Sequence, residues 1–251
     1  MTNDLNLRTY ESSDVVAFYE KQAQLQPCEA YLFAKYVPRG AAILDMGVGG
    51  GRTTGHLAAQ AGRYVGADYS QSMVDACSRR FPGLEFRHCD ATDMSQFANA
   101  TFDVLVFSFN GIDYINDDGA RARCLSEVAR VLKPGGFFIF SSHNARQLVL
   151  WPTLADAKPH QFVWRVLRSA GKSLAIALRS LRSGTFIRGD GYVIDPVHGG
   201  IRTYVSTPGT VRPQLDHAGL TLREVVRGPD ATLPADFATS WHYYACEKTA
   251  R

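Results

Sequence analysis

No uninterrupted apolar run in this chain approaches the ~18 residues that a membrane-spanning helix needs. The opening Met1-Thr2-Asn3-Asp4-Leu5-Asn6 has neither the basic nor the apolar stretch of a secretion signal. Cysteine is sparse: Cys28, Cys77, Cys89, Cys124 and Cys246 are odd in number, scattered and free of C-x-x-C spacing. That argues against a disulfide framework or a zinc site and for reduced thiols in a cytoplasmic protein. Charge of one sign is also lacking. The 27 basic and 24 acidic residues leave +3, too little by itself to argue for nucleic acid. What remains is 251 residues, 45% apolar and 20% charged, the composition of one α/β domain with room for an insertion.

The most ordered stretch is Ile43-Leu44-Asp45-Met46-Gly47-Val48-Gly49-Gly50-Gly51-Arg52-Thr53-Thr54. An apolar run ends in a carboxylate, glycines follow, and a helical pattern begins: a strand, a tight turn and a helix N-terminus. Glycines let the backbone take positive φ and let a ligand approach the main chain. A dinucleotide turn wants glycine at its first, third and sixth positions. Counted from Gly47 the sixth is Arg52, and from Gly49 it is Thr54, which disfavours a nicotinamide-dependent oxidoreductase. Asp45, just before the first glycine, suits a ligand with a cationic end.

Further runs follow in order. Arg63-Tyr64-Val65-Gly66-Ala67-Asp68 ends in an acid at the distance where a carboxylate meets ribose hydroxyls. Leu84-Glu85-Phe86-Arg87-His88 leads into Cys89-Asp90-Ala91-Thr92-Asp93, with Asp93 placed to start a helix. Residues 101–107 form a continuous apolar run, typical of a central parallel strand, followed by Ser108-Phe109-Asn110-Gly111-Ile112-Asp113-Tyr114. Leu132-Lys133-Pro134-Gly135-Gly136 ends a helix ahead of a fifth strand, 137–144.

From about residue 37 to 144 these motifs resemble those of the class I S-adenosylmethionine-dependent methyltransferases, whose first motif is an acid followed by Gly-x-Gly-x-Gly. The resemblance implies an α/β fold: a Rossmann-like, seven-stranded, mostly parallel sheet with helices on both faces, plus a cap inserted between strands 5 and 6. It implies S-adenosyl-L-methionine as cofactor and S-adenosyl-L-homocysteine as product. Asp45, Gly47, Gly49 and Gly51 would surround the amino-acid end and Asp68 the ribose. Tyr69 and Met73 would pack on the adenine, and Asp90 with the Ala91 main chain would bond its edge. Phe109 is expected near the sulfonium. An N-terminal helix closes over the cofactor in this family, so Tyr19 or Tyr10 can reach it, or simply pack on the sheet.

Asn110, Tyr114 and Tyr204 are expected at the acceptor. The loop after the fourth strand lacks the Asn/Asp-Pro-Pro-aromatic motif of nucleic-acid amino methyltransferases. There is no Pro-Cys of the C5-cytosine type there, and no glutamate pair of the arginine methyltransferases. The expected acceptor is therefore a small molecule, methylated on nitrogen or oxygen. A non-catalytic adenosyl-binding module would be expected to lose an acid at 45, 68 or 90, and all three are present.

The division expected is an N-terminal helical cap (1–40), a core (41–144 and 208–251) and an inserted lid (145–207). Within the lid, 162–181 reads as a helix with one apolar side and Arg165, Arg168, Lys172, Arg179 and Arg182 on another face. Three readings stand: a solvated cap, a basic lid selecting an anionic small molecule, or contact with a membrane surface through 162–182. The basic face has no aromatic stacking platform, which disfavours single-stranded nucleic acid. Residues 191–205 alternate like a hairpin. His143 and His198 are the candidate proton acceptors, with a structural role as the alternative for each. A helix from 208 to 218 and an antiparallel edge pair, 220–226 and 241–247, complete the chain. No motif specifies an oligomeric state.

Overall fold

The computed structural model describes residues 11–20, 22–150, 152, 158–194, 201–228 and 236–249. Tyr10 and His198 lie outside them. In chain order the elements are α1 (Ser13–Glu20), α2 (Pro27–Tyr36), β1 (Ala42–Met46), α3 (Thr54–Ala58), β2 (Arg63–Asp68), α4 (Gln71–Arg80), β3 (Glu85–His88) and β4 (Phe102–Phe107). A 3-10 turn at Gly111–Tyr114 leads to α5 (Asp118–Val131) and β5 (Leu132–His143). Then come α6 (Pro159–Ser183), α7 (Thr185–Arg188), β6 (Gly191–Ile194), β7 (Arg202–Val205), α8 (Pro208–His217), β8 (Leu220–Arg227) and β9 (Trp241–Lys248).

Seven strands form one sheet in the order β3-β2-β1-β4-β5-β9-β8, and only β9 runs against the rest. The chain winds outward through β2 and β3, then returns to β4 on the other side of β1. The crevice for a ligand in such a sheet lies at this reversal, beyond the carboxyl ends of β1 and β4. Val104, Leu105 and Val106 are fully buried, as a central strand covered on both faces requires. One face packs under α5 and α8 through Cys124, Leu125, Val128, Val211 and Leu215. The other packs under α2 and α3 through Leu32, Phe33 and Leu57.

Local chemistry sets the helix starts: the Ser70 hydroxyl accepts from Met73 N at 3.4 Å, and the Asp117 carboxylate accepts from Ala120 N at 2.7 Å. Two expectations are corrected. No helix starts at Asp93, whose carboxylate instead accepts from Ser95 N at 3.1 Å and closes a turn. The Lys-Pro-Gly-Gly string lies inside the β5 span, where the register with β4 shifts between Phe102 and Val104 to absorb the extra residues.

The described part of the insertion holds α6, α7 and an antiparallel β6–β7 hairpin paired from Gly191↔Val205 to Ile194↔Arg202. Ser206 N donates to His143 O at 2.8 Å, tying the hairpin to the end of β5. No described helix is long and apolar enough to cross a membrane.

Candidate active site

A cavity of about 640 Å³ opens above the carboxyl ends of β1, β2 and β4, a volume suited to a cofactor with a small ligand beside it. Its floor is the turn at 47–50. Asp68, Tyr69, Ser70 and Met73 form one wall, and Asp90 and Ala91 stand next to them. Phe107, Ser108, Phe109 and Tyr114 face these from the β4 side, and Tyr19 of α1 reaches the same space. Ten of the expected residues thus meet in one place: Gly47, Gly49, Asp68, Tyr69, Met73, Asp90, Ala91, Phe109, Tyr19 and Tyr114.

The turn takes this shape because two of its positions carry no side chain. At Gly47 φ is +66°, and a Cβ would lie 2.6 Å from the Phe107 ring, so any larger residue would displace the aromatic that backs the turn. Gly51 lies at φ +80°, where a Cβ would come within 2.5 Å of the Phe81 ring. The Asp68 carboxylate is clamped by main chain on both oxygens: Gly49 N donates to Oδ2 at 2.8 Å and Ser70 N to Oδ1 at 2.9 Å. Burial pushes this carboxyl up, and the two amide hydrogen bonds oppose it.

The donor set discriminates between ligands. A pyrophosphate over this turn would find the Gly49 amide already engaged and a carboxylate beside it. An adenosyl group suits the same walls. A carboxylate has lone pairs left for two ribose hydroxyls, and Met73 and Ala91 offer apolar surface to a purine. Both intramolecular bonds of Asp90 fall on Oδ1, from Thr92 N at 2.7 Å and Thr92 Oγ1 at 2.8 Å. The residues present fit an adenosyl cofactor.

Comparison with known proteins agrees. A family profile described as a methyltransferase domain matches residues 43–136. A demethylmenaquinone methyltransferase from Clavibacter sepedonicus is 38% identical over 100 residues, 39% of this chain and 39% of its own length. A ubiquinone/menaquinone biosynthesis C-methyltransferase from Desulfotalea psychrophila is 34% identical over 103 residues, 39% of this chain and 40% of its own. Among solved structures, the 1,6-didemethyltoxoflavin-N1-methyltransferase of Burkholderia thailandensis shares the fold with a TM-score of 0.63 at 16% identity, over 99% of this chain and 87% of that one. The chain thus resembles methyltransferases over residues 43–136 and shares the fold of a solved one. It spans about two-fifths of the length of the curated relatives it matches.

Five of the expected site residues stand elsewhere than the motifs imply. Asp45 is 1% exposed beneath the turn and off the cavity wall, where its Oδ2 accepts from Thr53 Oγ1 at 2.7 Å and Tyr64 OH at 2.8 Å. It locks the turn to α3 and β2 rather than meeting a ligand. Gly51 also lies off the wall, packed on Phe81. Asn110 is 4% exposed and directed at His143, with 3.3 Å between its Nδ2 and the imidazole Nε2. His143 lies behind the wall too, its Nδ1 held 2.8 Å from Oδ2 of the fully buried Asp113. Tyr204 is buried in the insertion: its hydroxyl donates to Asp190 at 3.2 Å and accepts from Gln214 at 2.9 Å, while the Arg121 guanidinium lies over its ring.

Burial pushes the Asp45 carboxyl up to about 6, against the hydrogen bonds from Thr53 and Tyr64. A folded pKa above the unfolded one contributes stability at low pH that is lost as pH rises through the folded value. The stability difference between wild type and Asp45→Asn should therefore shift against wild type between about pH 4 and 6. The shift should be about 3 kcal/mol, at ~1.4 kcal/mol per pH unit, and flat above. Urea unfolding of both proteins across that range checks it; parallel pH profiles would reject the assignment.

A buried ionic cluster beside the cavity has no signature in residue spacing. Glu29 of α2 is fully buried and makes two hydrogen bonds to Arg52, Nη1 to Oε2 at 2.5 Å and Nη2 to Oε1 at 2.6 Å. Ser108 Oγ and Tyr243 OH donate to the same carboxylate at 2.8 and 2.5 Å. Burial would raise the Glu29 carboxyl, but Arg52 and Tyr243 outweigh it and hold it below the usual range. The cluster joins α2, the glycine turn, the β4 loop and β9, and both Arg52 and Ser108 face the cavity. Locally, Glu29 reads as the capping-box partner of Gln26, which it also is. Equally hidden is the strain next door: Phe109 and Asn110 have φ of +55° and +63°, a conformation costly for such residues and concentrated at functional sites. Asn110 N donates to Ser141 Oγ at 2.7 Å, which helps to hold it.

Proposed function

We propose that this protein is an S-adenosylmethionine-dependent methyltransferase that moves a methyl group to a nitrogen or oxygen of a small-molecule acceptor. The observation that carries the reading is Asp68, clamped by the main chain of the glycine turn and of α4 at the edge of the cavity. S-adenosylmethionine supplies an electrophilic methyl on a sulfonium. The chain's share is alignment and a dry pocket, which alone can be worth ~7–11 kcal/mol. Asp68 holds the sugar end, the glycine turn lies against the amino-acid end, Asp90 and Ala91 hold the purine, and Phe109 and Tyr19 present aromatic faces of the kind that favour a cation. The relatives named above include a C-methyltransferase and an N1-methyltransferase, so the atom methylated is the point to test.

Residues 145–207 serve in this reading as the acceptor's lid. Arg202 of β7 stands in the cavity wall with Arg123 of α5, and two guanidiniums there favour an acceptor with an anionic group. The buried free thiols suit a reducing, cytoplasmic compartment. His198, four residues before Arg202 in sequence, remains the proposed proton acceptor for an acceptor that must lose a proton. Turnover with methyl-labelled cofactor and a panel of anionic small molecules, read by NMR of the product methyl, tests the reaction and the atom together. His198→Ala should lower turnover about 100-fold or more with cofactor affinity unchanged. Full activity would discard it as base, and absence of any cofactor binding by wild type would sink the whole reading.

A further inference from the structure

Helix α6 carries a surface that methyl transfer does not use. Five large apolar side chains stand in solvent along one face: Val163, Leu167, Leu174, Leu178 and Leu181, at 63%, 64%, 61%, 43% and 63% exposure. Their three- and four-residue spacings, counting Ala170 and Ala177 between them, keep them on one side of the helix. From Val163 to Leu181 the stripe runs about 27 Å at ~1.5 Å per residue. A different face holds α6 to the body: Ser169, Ile176 and Ser180 are buried, and Ser169 Oγ donates to Leu150 O.

On the side of the stripe away from the body stands Trp164, 60% exposed, with the Arg168 guanidinium 5.1 Å over its ring; the exposed Arg182 lies on the same side about five turns beyond Trp164. The helix carries Arg165, Arg168, Lys172, Arg179 and Arg182 and no acid, and Arg188 follows beside Ile187, which is 83% exposed.

We propose that α6 docks the protein on the surface of an anionic phospholipid bilayer, the Leu167–Leu174–Leu181 stripe at the acyl boundary and Trp164, Arg168 and Arg182 among the headgroups. Contiguous apolar surface of this length is rare on soluble monomers without a partner. Tryptophan and arginine flanking an apolar stripe is the arrangement that a lipid–water interface favours, aromatic and cationic tips in the headgroups and stems in the chains. Charge decides against a second copy of the chain as occupant. A two-fold axis through the stripe would bring together two helices that carry cations and no carboxylate of their own to pair with, whereas phosphodiester headgroups neutralise Arg168 and Arg182. The inference does not rest on the methyl-transfer reading, because no α6 residue lines the cavity.

Co-sedimentation of the full chain with phosphatidylcholine vesicles, with and without phosphatidylglycerol, tests it. Retention should require phosphatidylglycerol and weaken with salt. Arg168→Gln/Arg182→Gln should weaken it roughly 30-fold, from two lost surface cations, and Leu167→Asp/Leu174→Asp should abolish it. Both double variants change exposed side chains away from the cavity, so their circular dichroism and affinity for S-adenosylhomocysteine should match wild type. No retention on phosphatidylglycerol vesicles would overturn the proposal, as would retention that ignores the leucine changes. A dimer by light scattering that Leu167→Asp/Leu174→Asp dissolves, without vesicle retention, would overturn it in favour of an interface between copies. Vesicle retention by a protein that binds no cofactor would leave it standing while the methyl-transfer reading failed.

Discussion

Asp68→Ala is expected to weaken binding of S-adenosylhomocysteine by roughly 100-fold or more in titration calorimetry. Each charge-assisted hydrogen bond to a ribose hydroxyl is worth about 1.5–3 kcal/mol, and the carboxylate is placed to accept two. The substitution also releases the amides of Gly49 and Ser70, so a loss of affinity alone could come from a loosened turn. A cofactor product lacking the 2′-hydroxyl separates the two causes. Wild type should discriminate against it by about tenfold or more, and Asp68→Ala should not discriminate at all, because coupling between side chain and hydroxyl appears only where they touch. Equal discrimination by both proteins would remove Asp68 from the ribose.

The second large effect concerns stability. Glu29→Ala leaves the Arg52 guanidinium, 8% exposed, without its carboxylate, and takes the acceptor from Ser108 and Tyr243. Removing one partner of a buried pair costs about 3–5 kcal/mol. For a chain of this size that lowers the melting temperature by roughly 6–20 °C. Replacing both members with apolar groups, Glu29→Leu with Arg52→Met, should recover part of the loss, since no charge is then stranded. Calorimetric melting of the three proteins decides it. A Glu29→Ala protein that melts with wild type would mean that the cluster does not tie α2 to the cavity. Because Arg52 and Ser108 face that cavity, the single variant should also bind cofactor more weakly at temperatures where it stays folded.

Legibility in the sequence followed the range of the interaction concerned. Gly47, Gly49, Asp68, Asp90 and Ala91 were readable because each sits at or just past a strand tip, and Met73 because it lies in the first turn of the helix that follows one. Strand tips on one side of a parallel sheet are brought together by the fold itself, whatever the side chains do. Asp45 and Gly51 belong to the same motif, but spacing cannot say whether a residue at a turn faces outward or inward. Asp45 turns in because Tyr64 and Thr53 offer it two donors beneath the turn. His143 was placed correctly at the end of β5, yet its partners Asp113 and Asn110 come from the loop after β4, about 30 residues away, and they hold the ring behind the wall.

The sequence alone determined the sheet, the position of the crevice and the chemistry of its rim, since apolar period, glycine placement and strand-end carboxylates are local properties. Tertiary structure decided which side chains face the ligand, which pair with one another, and which surface is left bare. Those outcomes depend on burial and on partners distant in sequence, as Glu29 on Arg52 and Tyr243, and a buried charge commits to whatever partner the fold delivers.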